Sequence, residues 1–506
     1  MKKYNYISKS LRDLFFLPIF LLFSCQNDFL EITPKYFLTE GDFYKTENDF
    51  QQAVIGVYGK LQQFTLQADI LQEGISDNTT FDNQLDQSFL GSENQYGFID
   101  QWNMNSAAGT ISSSWNLIYG AVKDCNFALA NLENANIEKA VAKQVEGELK
   151  FLRAYFYFTA VRYWGNIPLL LKPVYTSEEA FAITRSTTEE VYQSIIKDAE
   201  VAASFLPVSY SGNNIGRITA GAAKMLLAQV YMTRREYAKA ETKLREIVSA
   251  PHYGLLPDYA KVFNPSNKNS KESIFEVQFK DGAEGEASNF MYAFAPVGSR
   301  GVIVVGPLSG GGRNIPTNDM IEAYENGDLR KDISIGYFAR KTTPLYYVKK
   351  YDHDTDPQFE RTPDNWPVYR YADALLMLAE AINEQGFKPG EPFNLLNQVR
   401  NRAGLASLTT ADASSQDAFR NVLLRERRVE LAFENHRWFD LIRSGKAIEI
   451  LTAHGERERA NPTIPPPSFL PITSESFRIS EDKLIFPIPI NELIKNPNLL
   501  PQNGKY

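Results

Sequence analysis

From residue 46 onward, apolar side chains return every three or four positions in long runs, the spacing that gathers them on one face of an α-helix. Phe50, Val54, Val57, Tyr58 and Leu61 form the first such face. The same period predicts helices over 110–132, 139–163, 187–205 and 218–249. Three stretches break it. Residues 72–106 are crowded with Asn, Asp, Gln, Ser and Gly and hold no period. Within 252–366, Phe275–Phe279 alternates as a short strand would, and 301–312 is rich in glycine. Residues 445–480 contain a stiff proline-rich segment, 461–471. The pattern predicts an all-α chain whose helical frame covers 46–71, 107–251 and 367–444. Long irregular loop excursions with minor short strands fill 72–106, 252–366 and 445–480, and 46–506 reads as a single domain.

The segment 218–249 carries the sharpest pattern. Leu227, Ala228, Tyr231, Ala240 and Leu244 stand at the spacings of a tetratricopeptide helix pair, with Pro251 near the repeat's end. Small alanines let two antiparallel helices approach, and Tyr231 and Leu244 fill the groove between them. A weaker copy follows at 370–400, stretched around Gly386–Pro392, and 139–163 reads as a degenerate one. Stacked pairs of this kind make a scaffold whose loops are free to specialise.

The N-terminus is an export signal. Lys2, Lys3, Lys9 and Arg12 precede the apolar run Leu14–Phe23, which is too short for a membrane span of about 20 residues. Leu22-Phe23-Ser24-Cys25 resembles a lipobox, so residues 1–24 are expected to be removed, Cys25 lipidated and 25–45 left as a tether. With Cys25 acylated, Cys125 has no disulfide partner and reads as a small core residue. Net charge is −8, and losing four basic groups and one acid with the signal leaves −11. That balance repels nucleic acid and anionic lipid, so no nucleic-acid partner is expected.

No catalytic signature stands out: H-E-x-x-H, G-x-S-x-G and the phosphate-binding loop are all missing from the sequence. His252, His353, His436 and His454 lack metal-ligand spacing. Asp352-His353-Asp354-Thr355-Asp356 opens like a calcium loop, but Pro357 and Pro363 stand where glycine and glutamate are needed, so it reads as a solvated acidic loop. No metal or cofactor is expected. The run from Arg425 to Arg443 reads as an amphipathic helix with a solvated or network-forming charged face. Leu424, Leu431, Trp438 and Ile442 would lie on its apolar side, and Glu434/Arg437 and Asp440/Arg443 would pair along it.

Several segments, in order, resemble the SusD/RagB family. They begin with Asp28-Phe29-Leu30-Glu31 after Cys25, then Arg153-Ala154-Tyr155-Phe156 running into Tyr163-Trp164-Gly165-Asn166-Ile167-Pro168. Arg217-Ile218-Thr219, Arg370-Tyr371-Ala372-Asp373 and Asn397-Gln398-Val399-Arg400 follow. The last are Glu426-Arg427-Arg428-Val429-Glu430-Leu431, Arg437-Trp438-Phe439-Asp440 and the C-terminal Pro487-Ile488-Pro489 with Asn496-Pro497. The resemblance spans nearly the whole chain. It implies a tetratricopeptide-like helical fold at the cell surface, lipid-anchored in the outer membrane, and a SusC-like TonB-dependent β-barrel transporter as partner. It also implies capture of a nutrient, an oligosaccharide or other glycan first and a peptide second, by a receptor and not an enzyme. A surface glycosidase is the rival reading, although no pair of acids stands out.

A glycan receptor stacks sugar C–H faces on aromatic rings and reads hydroxyls with amides, carboxylates or arginine, from loops held by a rigid frame. The candidates are Asp77, Asn78, Tyr96, Phe98 and Trp102 in the first excursion, and Tyr292, Phe294 and Arg300 in the second.

Overall fold

The computed structural model describes residues 43–82, 95–280, 286–305, 310–340, 344–353, 361–465 and 471–505. Cys25, the export signal and most of the tether lie outside the described residues, as does Asp354–Asp356 of the acidic loop.

Helices dominate. The frame comprises α1 (Glu47–Gln72), α2 (Gly109–Leu132), α3 (Lys139–Trp164), α4 (Thr188–Phe205), α5 (Ala220–Thr233) and α6 (Tyr237–Val248). After the second excursion it resumes with α7 (Tyr371–Glu384), α8 (Glu391–Arg402), α9 (Gln416–Glu430), α10 (Arg437–Ser444) and α11 (Ala447–Ala460). Starts are written locally. Thr46 accepts from Asp49 N while the Asp49 carboxylate returns a bond to Thr46 N, and Thr187 and Glu190 repeat that box at α4. Gly445, at φ 72°, closes α10 in the left-handed conformation.

The tetratricopeptide reading holds. Helices α5 and α6 are joined by three residues and must run antiparallel, with Leu227, Ala228, Tyr231, Ala240 and Leu244 all buried. The 370–400 copy is α7 and α8, its longer turn spanning Gly386 and Gly390 at positive φ. Strands are few and short. The alternation at 275–279 appears as β2 (Ser273–Val277) antiparallel to β6 (Trp366–Arg370). Two further antiparallel pairs join β1 (Thr79–Thr80) to β3 (Ile315–Pro316) and β4 (Ile335–Phe338) to β5 (Leu345–Val348). Cys125 is a free, fully buried thiol, and burial pushes its pKa far up, which makes it inert.

Two expectations change. Helix α11 occupies the start of the third excursion: its buried positions Ala447, Leu451, His454, Gly455 and Glu458 include too few large apolar residues to show a period. The charged run is also not one helix. It breaks between α9 and α10, where Phe433 and Asn435 take φ 65° and 67°. Of the two expected pairs, Asp440–Arg443 forms at 2.8 Å, but Glu434 and Arg437 turn to other partners.

Those partners build a buried lattice. Glu430 accepts from Arg402 at 2.6 Å, Arg370 at 2.9 Å and Arg330 at 3.1 Å. Glu434 accepts from Lys350 at 2.6 Å and Arg370 at 2.7 Å. Arg427 bridges Asp373 (2.6 Å) and Asp440 (2.9 Å), and Arg437 holds Asp77 through two bonds of 2.8 Å. Acids and arginines of α9 and α10 thus clamp β6, α7, α8 and two excursions. Burial alone would raise the Glu430 carboxyl; Arg402, Arg370 and Arg330 outweigh it and hold it well below the usual range. Asp440 is depressed likewise, with Arg427 and Arg443 overcoming burial.

Because folded pKa values below the unfolded one stabilise above it, this contribution is intact above about pH 4.5 and fades as pH falls through the depressed values. Guanidinium unfolding should therefore show a midpoint that drops between about pH 5 and pH 3. Glu430→Gln, which takes one charged carboxylate from each of three buried arginines, should cost about 3 kcal/mol at pH 7 and weaken that acid dependence. An unchanged midpoint in Glu430→Gln would show that the lattice does not hold the fold.

Candidate ligand-binding face

The three excursions meet. Beyond the β1–β3 pairing, Asp82 N donates to Gly312 O at 2.7 Å and Thr317 N to Asn78 O at 2.9 Å. The Asp82 carboxylate accepts from Val297 N and from Arg340 Nη1, both at 2.8 Å, and Arg340 also reaches Val297 O at 3.2 Å. One buried acid thereby ties the first excursion to the 296–305 loop and to the β4–β5 hairpin. Its burial raises the carboxyl's pKa, against the pull of Arg340. The third excursion joins where Phe477 N donates to Gln101 O at 3.0 Å.

The residues expected from sequence come together along this seam, most of them below the surface. Asp77 is held by Arg437 and by Arg428 at 3.0 Å, and these two arginines outweigh burial to keep its carboxyl well below the usual range. Asn78 donates to Glu73 at 2.7 Å and accepts from Arg428 at 2.8 Å. Burial pushes the Glu73 carboxyl up to about 7, and it accepts from Phe433 N and Asn435 N in the turn between α9 and α10. Tyr96 is stacked on Phe81 at 4.9 Å. Trp102, 3% exposed, donates its indole N–H to Ile75 O at 2.9 Å and packs against Phe477 and His454. A Cβ on Gly455 of α11 would clash with Phe477 O and stand 3.0 Å from that indole, so glycine there lets both the Phe477 backbone and the ring seat. Tyr292 and Phe294 are buried, Phe294 beside Tyr351 and Trp366. Phe98 is half-buried and Arg300 exposed.

Sequence reasoning passed over what lies on the surface. Tyr337 and Tyr346 face each other across the β4–β5 hairpin, 58% and 38% exposed, their ring centroids 5.4 Å apart at 62°. The hairpin is held from beneath. Phe338 and Leu345 are buried, and the Tyr347 ring occupies the space a Cβ on Gly336 would need, with its hydroxyl donating to Asp352 at 2.8 Å. Beside Arg300, Val302 and Val305 are 74% and 63% exposed on the loop that Asp82 anchors. The signal was present in two short runs rich in apolar and aromatic residues, Ile335–Phe338 and Leu345–Val348. Such a face, two open phenol rings with a cation and apolar side chains on the same joined loops, suits a ligand with both C–H faces and hydroxyls. Among the described residues no cluster of His, Cys, Asp and Glu could hold a metal ion.

Comparison with known proteins agrees with the helical fold. Residues 337–506 match the model of the SusD family, and 28–232 match a model described as starch-binding associating with outer membrane. A SusD-like protein of Formosa agariphila is 27% identical over 95% of this chain and 96% of its own. Among solved structures, a SusD superfamily protein from Parabacteroides distasonis has a TM-score of 0.73 and 26% identity over 90% of this chain and 99% of its own. Surface glycan-binding protein A from Bacteroides thetaiotaomicron, solved with laminarihexaose, superposes with a TM-score of 0.72 at 23% identity, covering 91% of this chain and 100% of its own, which shows a shared fold.

Since Trp102 is enclosed by protein on the seam, Trp102→Ala should cost about 3–5 kcal/mol of stability, through the cavity it opens and the lost Ile75 bond. Denaturant unfolding checks this; a loss below about 1 kcal/mol would mean that the ring does not brace the excursions.

Proposed function

We propose that this chain, a member of the SusD/RagB family, is a cell-surface binding lipoprotein that captures a glycan without cleaving it and delivers it to a SusC-like TonB-dependent β-barrel transporter. The observation that carries the reading is the exposed Tyr337–Tyr346 pair on a hairpin fixed from below. Two rings offered to solvent at neighbouring positions give a sugar chain stacking surfaces at little cost in ligand-induced ordering. Arg300, and Phe98 where it is accessible, add contacts to hydroxyls and ring faces. Asp77, Asn78, Tyr96, Trp102, Tyr292 and Phe294 set the conformation of the loops that bear them. The family name that associates such proteins with the outer membrane supports that location. No helix among the described residues is long and apolar enough to cross a bilayer, and acylated Cys25 at the head of the 25–45 tether supplies the anchor. Exposed Val302 and Val305 beside Arg300 favour a peptide as the second reading.

Isothermal titration of the purified protein against a panel of oligosaccharides and peptides should find a glycan ligand and no new reducing ends after incubation. Losing two stacking rings in Tyr337→Ala/Tyr346→Ala should weaken binding by roughly 10- to 30-fold, about 1.4–2 kcal/mol, with stability unchanged. Heat from peptides alone would transfer the role to peptide uptake, and new reducing ends would make the protein an enzyme.

A further inference from the structure

Away from that face, the helical frame lines an open-mouthed cavity of about 330 Å³ between α1, α3, α4, α5, α7, β6 and α10. Its most unusual lining group is Arg162 of α3. The guanidinium carbon sits 3.8 Å from the Phe158 ring centroid and 3.7 Å from that of Phe439, so both faces of the plane are covered by aromatic carbon. Its Nε donates to Phe158 O at 3.0 Å. The two terminal amino groups have neither a hydrogen-bond partner nor a carboxylate among the described residues, and burial lowers the group's pKa. In a chain whose buried arginines are clamped by acids, this half-buried one is left with a free edge on the pocket.

Two more lining groups are unsatisfied. Tyr369 Oη and Asn435 Oδ1, on residues 2% and 8% exposed, have no hydrogen-bond partner among the described residues. The acids on the lining are already neutralised: Glu434 by Lys350 and Arg370, Asp440 by Arg427 and Arg443. Arg235, exposed on the same lining, has no ion pair among the described residues and adds a second positive charge. The cavity therefore offers a fixed planar cation, a second positive charge and apolar walls, with an unpartnered phenol O–H and an unpartnered amide oxygen buried in its lining residues.

The geometry points to a binding site for a small hydroxylated carboxylate about the size of one sugar-acid ring, its carboxylate on the free edge of Arg162 and its hydroxyls on Tyr369 and Asn435. A guanidinium presenting two parallel N–H groups recognises a carboxylate in bidentate fashion, whereas a neutral sugar leaves its charge uncompensated in a half-buried site. The volume stands at the lower end of the range for small-molecule sites, about 300–1,000 Å³, which excludes a long chain. This site is independent of the Tyr337–Tyr346 face.

Isothermal titration of the full chain in detergent with D-glucuronate, D-galacturonate and D-glucose tests the assignment. At least one uronate should bind, and at least ten-fold more tightly than glucose. Arg162→Met, which keeps the apolar stack, should abolish uronate binding. Tyr369→Phe, which deletes one buried hydroxyl and leaves the packing intact, should weaken it about three- to ten-fold. Tyr337→Ala/Tyr346→Ala should leave it unchanged. Absence of heat from both uronates, equal affinity for glucose, or uronate binding that survives in both Arg162→Met and Tyr369→Phe would overturn the proposal.

Discussion

The arginine–carboxylate lattice centred on α9 and α10 is the constraint from which the rest of the architecture follows. Taking so many charges out of water costs several kcal/mol each, and the cost is offset only where every partner is placed. Glu430, gripped by Arg330, Arg370 and Arg402, meets that condition, and so does Asp77 beneath Arg428 and Arg437. A lattice of this kind tolerates few alternative arrangements. It draws β6, α7 and α8 from the frame, and Asp77, Arg330 and Lys350 from the excursions, into one register.

The consequence for function is positional. Helix pairs bearing alanines at their contacts can pack closely and present no chemistry of their own. Loops of 30 residues or more would be poor binding elements unless fixed, because ordering them on contact would consume affinity. Here the fixing is done beforehand, by the Asp77 and Asp82 ion pairs, by the short β1–β3 ladder and by Trp102 seated on Gly455. Among the described Phe, Trp and Tyr residues of these excursions, Tyr337 and Tyr346 are the ones left exposed.

The frame was legible in the sequence because a 3.6-residue period survives wherever a helix has one buried face. It also survived in the tetratricopeptide spacing of Leu227, Tyr231 and Leu244. Helix α11 escaped because its buried side holds His454, Gly455 and Glu458, whose place is set by Asp319 and Trp102 and not by hydrophobicity. The candidate site was legible only in part. Reasoning from loops pointed to segments that the structure joins along one seam, with Asp77, Trp102 and Phe294 on it. It could not tell an aromatic that a loop exposes from one that the loop rests on. That difference lies in long-range partners, such as Ile75 for Trp102 and Phe81 for Tyr96, which no local pattern encodes. Arg162 shows the same limit in reverse: nothing around it in sequence announces a cation without an acid.

The central claim is that the helical frame holds still while the joined excursions grip. Amide hydrogen exchange, with and without a saturating oligosaccharide ligand, measures this most directly. The account predicts new protection in 296–305 and 335–348, with the exchange of α5 through α8 unaltered. Protection concentrated in those helices, with the two loop segments unchanged, would contradict it.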